Sequence, residues 1–366
     1  ASIGNLTESN NKEWRPPMTG NAISRIKHLD GLRGVAITSV VLFHAYVRWA
    51  AAIPYSTSSL ARTSFSFGWL GVELFFAISG FVIFSTLDRC PTLGEFALRR
   101  WLRLFPGMLM ASAFLLVVSF FLYRPEGPVT LVNAIPGLVF AGPEFWARLI
   151  GIEIKSLDGA FWSIYVEVAF YLVSGFSYFI FKDRYGLTVL VLFFAYLAFR
   201  FLTGHFGGGG FPGLVDKTLK EVGIENYAWF LVGIFFYRHW KGELRFGFLF
   251  SIGAGLLGAL VILGNKGPAS AIGSIIVLAL FVSSFKLEAF AALLRNRIVL
   301  WIGFVSYPLY LIHQNFVVGG AVGLFRLVPW IPSILLPVPA ILIAAIIAYG
   351  IAKIEPHLKR RLGAAS

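Results

Sequence analysis

Charge is what this sequence has least of. Of 366 residues only 13% are Asp, Glu, Lys or Arg, while 57% are hydrophobic, and the mean hydropathy is +0.77. A water-soluble domain of this length needs far more polar surface, so the composition excludes one and implies an integral membrane protein. Cysteine is nearly missing: Cys90 stands alone, which excludes an internal disulfide. No Gly-rich nucleotide loop, no metal-ligand cluster and no Gly-x-Ser-x-Gly elbow occurs, so no metal is expected. Acidic residues are outnumbered, 18 against 31 basic, for a net charge of +13. No basic domain stands outside the apolar segments, so nucleic acid is not the implied partner. Basic cytoplasmic loops of a membrane protein are.

What the sequence has in quantity is long apolar runs. With a ruler of roughly 20 residues per span, ten candidates appear, over 34–52, 69–87, 107–123, 161–181, 187–204, 227–240, 246–264, 268–285, 298–320 and 334–354. The sixth is the shortest. Glycines 207–210 end the fifth. The longest connection, 124–160, is rich in Pro and Gly and is expected to hold short interfacial helices. Alternating ten spans puts about two-thirds of the Lys and Arg residues on the side of both termini, which the positive-inside rule makes cytoplasmic. Residues 1–27 are polar and lack the apolar core and cleavage site of a signal peptide. They read as a cytoplasmic tail before an uncleaved first span, with a transmembrane domain over 28–356 and a cytoplasmic tail over 357–366. The fold class is therefore all-α polytopic, with about ten transmembrane helices.

Titratable groups inside a bilayer are costly and by default functional. Four stand out: His44, Glu73, Glu167 and His313. At about 1.5 Å per residue, all four fall between the bilayer centre and its outer face, as one polar cavity would require. Each taken alone has a plainer reading, as a group bonding a neighbouring helix. In LDGLRGVAITSVVLFH (29–44), Arg33 and His44 are eleven residues apart, which places them on one helix face three turns, about 16 Å, apart. Arg33 sits at the inner interface, where a guanidinium holds a phosphate or simply anchors the helix. Ser163, Glu167 and Tyr171 form a similar stripe, as do Ser306, Tyr310 and His313. Trp162 and Tyr307 read equally well as part of an interfacial aromatic belt. Arg99, Arg100 and Arg103 in LRRWLRLFP (98–106) are either a routine stop signal or, beside Arg33, a seat for a polyphosphate such as the head of coenzyme A.

Taken in order, LDGLRGVAITSVVLFH, GVELFFAISGFVIF (71–84), RRWLRLFP (99–106), FWSIYVEVAFYL (161–172) and SYPLYLIH (306–313) resemble the acyltransferase 3 family of bacterial membrane O-acyltransferases. The Arg, ten residues, His spacing is the most specific piece. Two stretches depart from the family pattern. Val168 and Ala169 stand where a second Glu and a Gln are usual, so only Glu167 carries over, and Glu73 stands where Asp is frequent. Many relatives carry a C-terminal SGNH hydrolase-like domain. None follows within this sequence, so the acceptor step is expected in the membrane domain or on a separate protein.

The resemblance implies transfer of an acyl group, commonly acetyl, from cytoplasmic acyl-CoA to a hydroxyl of a surface glycan or glycolipid, across a bacterial inner membrane. Lipopolysaccharide and other polysaccharides are among the acceptors of relatives. On that reading Arg33, Arg99, Arg100 and Arg103 hold the acetyl-CoA or other acyl-CoA phosphates. His44 is the base or the acylated nucleophile, with Glu73 or Glu167 orienting it. Trp162, Ser163, Tyr307, Tyr310 and His313 line the acceptor side. The rival readings are a proton-coupled sugar or lipid transporter and a non-catalytic membrane scaffold, although no internal repeat supports the former.

Overall fold

The computed structural model describes residues 26–49, 59–206 and 210–363, and among these it is all-α. Ten helices correspond to the ten predicted spans: α1 Lys27–Phe43, α2 Gly71–Leu87, α3 Leu93–Val118, α4 Trp162–Phe181, α5 Tyr185–Phe206, α6 Tyr227–Trp240, α7 Gly247–Lys266, α8 Pro268–Lys286, α9 Arg297–Leu327 and α10 Pro337–Gly363. Eight segments among the described residues are long and apolar enough to cross a membrane. They cover every one of these helices except α1 and α6, with α5 covered as far as Leu202. α1 has 17 residues and continues into a π-helical turn, His44–Arg48. α6 has only 14, and every residue from Tyr227 to Tyr237 is buried. A helix apolar all round is a core helix, and α6 is the axis on which others pack.

Two boundaries differ most from expectation. α3 starts at Leu93, fourteen residues earlier than the predicted span. Thr92 caps it by accepting from the Glu95 N–H at 3.2 Å, and Pro106 within the helix does not end it. Arg99, Arg100 and Arg103 therefore stand on a helix rather than in a loop. α10 continues to Gly363, so most of the predicted C-terminal tail is its last turns. Residues 1–25 of the predicted N-terminal tail, residues 50–52 of the first predicted span and glycines 207–209 lie outside the described residues. The 124–160 connection does hold short helices, at Leu131–Ala134, Ile135–Val139 and Pro143–Ile150.

Glycine decides which helices meet. A Cβ on Gly303 of α9 would lie 1.9 Å from the Asp30 carbonyl oxygen, and one on Gly34 of α1 would lie 2.6 Å from that of Val299. α1 and α9 thus touch backbone to backbone. The same device joins α2 to α6 through Gly80 and Gly233, each of which leaves no room for a methyl group. Close approach through small residues is how helices associate where lipid removes the hydrophobic drive.

Candidate active site

The α1–α9 seam brings His44 and His313 together. His313 is fully buried, and its Nε2 lies 3.1 Å from Nδ1 of His44. His44 Nδ1 is also 2.9 Å from the Val40 carbonyl oxygen, and His313 Nδ1 is 2.7 Å from that of Tyr310. A carbonyl only accepts, so the network assigns the hydrogen to Nδ1 in both rings. His313 Nε2 is then an acceptor for His44 Nδ1–H, and His44 Nε2 keeps its lone pair. His44 opens the π-helical turn, a local widening that recurs at functional sites.

Below the pair runs a basic passage. Its mouth is a cavity of about 390 Å³ lined by Arg33, Arg89, Arg103 and Lys359, with Asp30 and Glu355 opposite in charge. Asp30 accepts from Arg33 at 3.3 Å. A smaller cavity of about 70 Å³ continues inward and shares Arg33, Val82, Arg103, Ser306 and Tyr307 with the mouth. Deeper in, it is lined by Ser79, Arg100, Ser163, Glu167, Tyr171 and Tyr310. Tyr307 fits because Gly107 follows Pro106 on α3: a Cβ there would meet the ring at 2.7 Å. The Tyr307 hydroxyl donates to the Leu104 carbonyl at 2.7 Å.

At the inner end, Tyr310 Oη–H donates to the Ala160 carbonyl at 3.0 Å, which leaves Ser163 to donate to Tyr310 Oη at 2.7 Å. The Tyr310 ring is 5.4 Å from that of His313. Neither cavity is lined by His44 or His313, and Tyr310, which lines the inner cavity on one side, faces His313 on the other. Glu167 accepts from Tyr171 at 2.6 Å and from Ser79, both on Oε1.

Beyond the histidines lies a polar cluster. Glu126 accepts from Gln314 Nε2 at 2.6 Å, from Asn315 Nδ2 at 2.7 Å and from the Gly159 N–H at 3.0 Å. Asp158 accepts from Asn315 Nδ2 at 2.7 Å and from the Ala160 N–H at 2.9 Å. One amide thus bridges two carboxylates. Asp158 is fully buried, and its carboxyl is pushed above the usual range, by burial first and by the Glu126 charge second. Arg124 offsets part of that charge and is itself anchored on the Leu157 carbonyl at 2.6 Å.

The structure therefore divides the residues singled out in the sequence. His44 and His313 are paired. Arg33, Arg100, Arg103, Ser163, Glu167, Tyr307 and Tyr310 line the passage. The single cavity expected for all four intramembrane groups is not found. Glu73 is buried, lines neither cavity, and its Oε2 has no partner among the described residues. The carboxylate expected to orient His44 is replaced by His313, since Glu167 is bonded to Ser79 and Tyr171. Arg99 lies on the exposed face of α3, paired with Glu95, and Trp162 is 45% exposed with its ring against Phe76. Glu126, Asp158, Gln314 and Asn315 were missed. Gln314 and Asn315 follow His313 directly, the one signal that pointed to them.

The family model described as an acyltransferase domain, acyltransferase 3, matches residues 26–353. The chain belongs to the acyltransferase 3 family. As a member it carries an acyltransferase domain, with eight segments among the described residues long and apolar enough to cross a membrane. Its curated relatives include the peptidoglycan O-acetyltransferase OatA of Listeria monocytogenes, 24% identical over 160 residues, and the O-acetyltransferase OatA of Staphylococcus aureus strain NCTC 8325, 27% identical over 157. Each match covers 40% of this acyltransferase 3 chain and 23% of the relative. The matched part is thus under a quarter of those proteins' length. No solved structure matches the chain.

Proposed function

We propose that this protein is a membrane O-acyltransferase that moves an acyl group, in the simplest case acetyl, from acyl-CoA entering at the basic mouth to a hydroxyl of a sugar-containing acceptor. The observation that carries the reading is the alignment of a paired histidine with a passage whose charge at the mouth is mainly basic. The mouth fits a polyphosphate: Arg33, Arg89, Arg103 and Lys359 outnumber Asp30 and Glu355, and guanidinium groups bind phosphate through paired donors. By the positive-inside rule that mouth faces the cytoplasm, and the acceptor approaches from the far side of a bacterial inner membrane.

On this reading Arg33 and Arg103 hold phosphates, and the narrow cavity beyond them takes the extended thiol arm. Tyr310 and Ser163 shift to admit the thioester, and their hydroxyls donate to its carbonyl oxygen as negative charge develops there. His44 Nε2 takes the proton of the acceptor hydroxyl as the new O–C bond forms. The C–S bond then breaks, and the imidazolium returns that proton to the departing sulfur. His313 holds His44 Nδ1–H and keeps the reactive tautomer. Glu126, Gln314 and Asn315 fix the α9 turn that carries His313, and they present polar atoms of the kind a sugar hydroxyl needs. The OatA proteins are named for O-acetyl transfer, in one case on peptidoglycan, and a cell-wall or surface glycan is the acceptor class proposed here.

The test uses membranes containing the full chain, labelled acetyl-CoA and an isolated glycan acceptor. Transfer that His44→Ala abolishes supports the reading. Transfer that survives His44→Ala overturns the histidine mechanism. A protein that moves glycan across vesicles without thioester-dependent modification would be a transporter instead.

A further inference from the structure

A groove of about 240 Å³ opens on the flank of the molecule between α3 and α4. Its walls include Phe96 and Ala97 of α3, Val168 and Leu172 of α4, and Val139 and Phe140 of the connection. Val139 is 57% and Leu172 56% exposed, so the groove opens outward on an apolar flank of the molecule. Its floor is Arg100, Leu104 and Tyr171, which also line the inner cavity of the passage. The two spaces are back to back across these side chains.

Arg100 is the sole charged residue lining this groove and is 7% exposed. It donates to the Thr86 hydroxyl and to the Val82 carbonyl at 3.3 Å, both on the α2 side. Its Nε has no partner among the described residues. A buried, unpaired guanidinium donor is expensive, and an apolar slot beside it defines what would satisfy it. Phe140 closes the groove in a left-handed backbone conformation, φ 59° and ψ 29°. That region is normally left to glycine.

We propose that this groove binds one anionic lipid, its alkyl chain along Phe96, Val168 and Leu172 and its phosphate on Arg100. The argument is charge complementarity: an alkyl-shaped slot whose lining carries one charge, positive and incompletely bonded. This goes beyond acyl transfer and does not depend on it, because the readout is binding.

The purified full chain in neutral detergent is titrated with phosphatidylglycerol or phosphatidylcholine, and adducts are counted by native mass spectrometry. A single phosphatidylglycerol adduct is expected at about tenfold lower lipid concentration than for phosphatidylcholine, the preference one charge-assisted hydrogen bond supplies. Ala97→Trp, a change at an exposed helix position that fills the groove, removes the adduct. Arg100→Gln erases the preference between the two lipids. Equal binding of both lipids to the unaltered protein, or a phosphatidylglycerol adduct that survives Ala97→Trp, overturns the proposal. The Ala97 variant decides the matter even where Arg100→Gln does not fold.

Discussion

His44 and His313 stand 269 positions apart in the chain and meet nitrogen to nitrogen at 3.1 Å. The single Nδ1 hydrogen of His44 is shared between the Val40 carbonyl and His313 Nε2, so on the proposed mechanism backbone and buried partner together hold the tautomer that presents Nε2. A carboxylate in that position would add a full charge. A neutral imidazole orients without doing so.

The pair predicts an unequal loss. His44→Ala removes the base and is expected to lower kcat by about 10²–10⁴, the usual contribution of a positioned proton acceptor. His313→Ala leaves the proposed base with its Nδ1–H on the Val40 carbonyl but removes the second acceptor that orients the ring, and is expected to cost less, about tenfold to a hundredfold. His313→Gln restores an acceptor and recovers part of that loss. The double variant is no worse than His44→Ala alone, because residues acting as a unit are not additive. Rates of labelled acetyl transfer at saturating acetyl-CoA measure all four.

The same seam predicts that a methyl group far from the chemistry is damaging. A Cβ on Gly303 would stand 1.9 Å from the Asp30 carbonyl oxygen, so Gly303→Ala must push α1 from α9. Overpacking of this kind costs about 1–3 kcal/mol. Transfer activity is expected to fall further than the amount of folded protein, since the His–His contact spans the separated helices. Gly264→Ala and Gly350→Ala, with nothing within 4 Å, should leave both unchanged. Thermal melting in detergent beside the transfer assay compares them.

How much of this was readable in the sequence depends on the range of the signal. The helices were, because hydropathy is local and a bilayer demands a long apolar run. α3 was misjudged at its start because Arg99, Arg100 and Arg103 lower the hydropathy of a stretch that Thr92 nonetheless caps as helix. Arg33 and His44 were legible from a spacing within one helix. Pairing His44 with His313 was not, since it depends on glycines 34 and 303 letting two backbones touch. Glu73 shows the opposite limit: its place on an apolar helix was local, but whether it would line the passage was set by how α2 packs, and it lines neither cavity. Asp158 and Glu126 lie in an irregular connection, where no periodicity marks which polar residue turns inward.

The arginine run, undivided in the sequence, is divided by the structure, and kinetics should follow. Arg33 and Arg103 line both cavities, so Arg33→Lys and Arg103→Lys keep the charge but lose the paired donors. Each is expected to raise KM for acetyl-CoA about tenfold with kcat little changed. Arg99 is exposed and bonded to Glu95, and surface pairs of this kind contribute little. Arg99→Lys is therefore expected to leave both constants unchanged. A KM effect at Arg99 as large as at Arg33 would mean that the donor binds outside the passage.

Asp158 predicts how stability depends on pH. Unfolded, its carboxyl titrates near its ordinary value of about 4. Folded, burial and the Glu126 charge raise it to about 7. The folded state thus prefers the protonated acid, and its contribution is fully present below about pH 4 and lost as pH rises through about 7. The melting temperature of the unaltered protein is expected to fall by several degrees across that window. Asp158→Asn cannot ionise, yet its amide oxygen still accepts from Asn315 or from the Ala160 N–H. The variant starts lower at acidic pH, having lost one of two acceptor oxygens, and its melting temperature declines less as pH rises. Glu126→Gln removes the repulsion while leaving Asp158 titratable, so it shifts the midpoint of the decline toward lower pH without abolishing it. Melting curves of the three proteins in one detergent between pH 4 and 8 test the order. Parallel curves for the unaltered protein and Asp158→Asn would place the titrating group elsewhere.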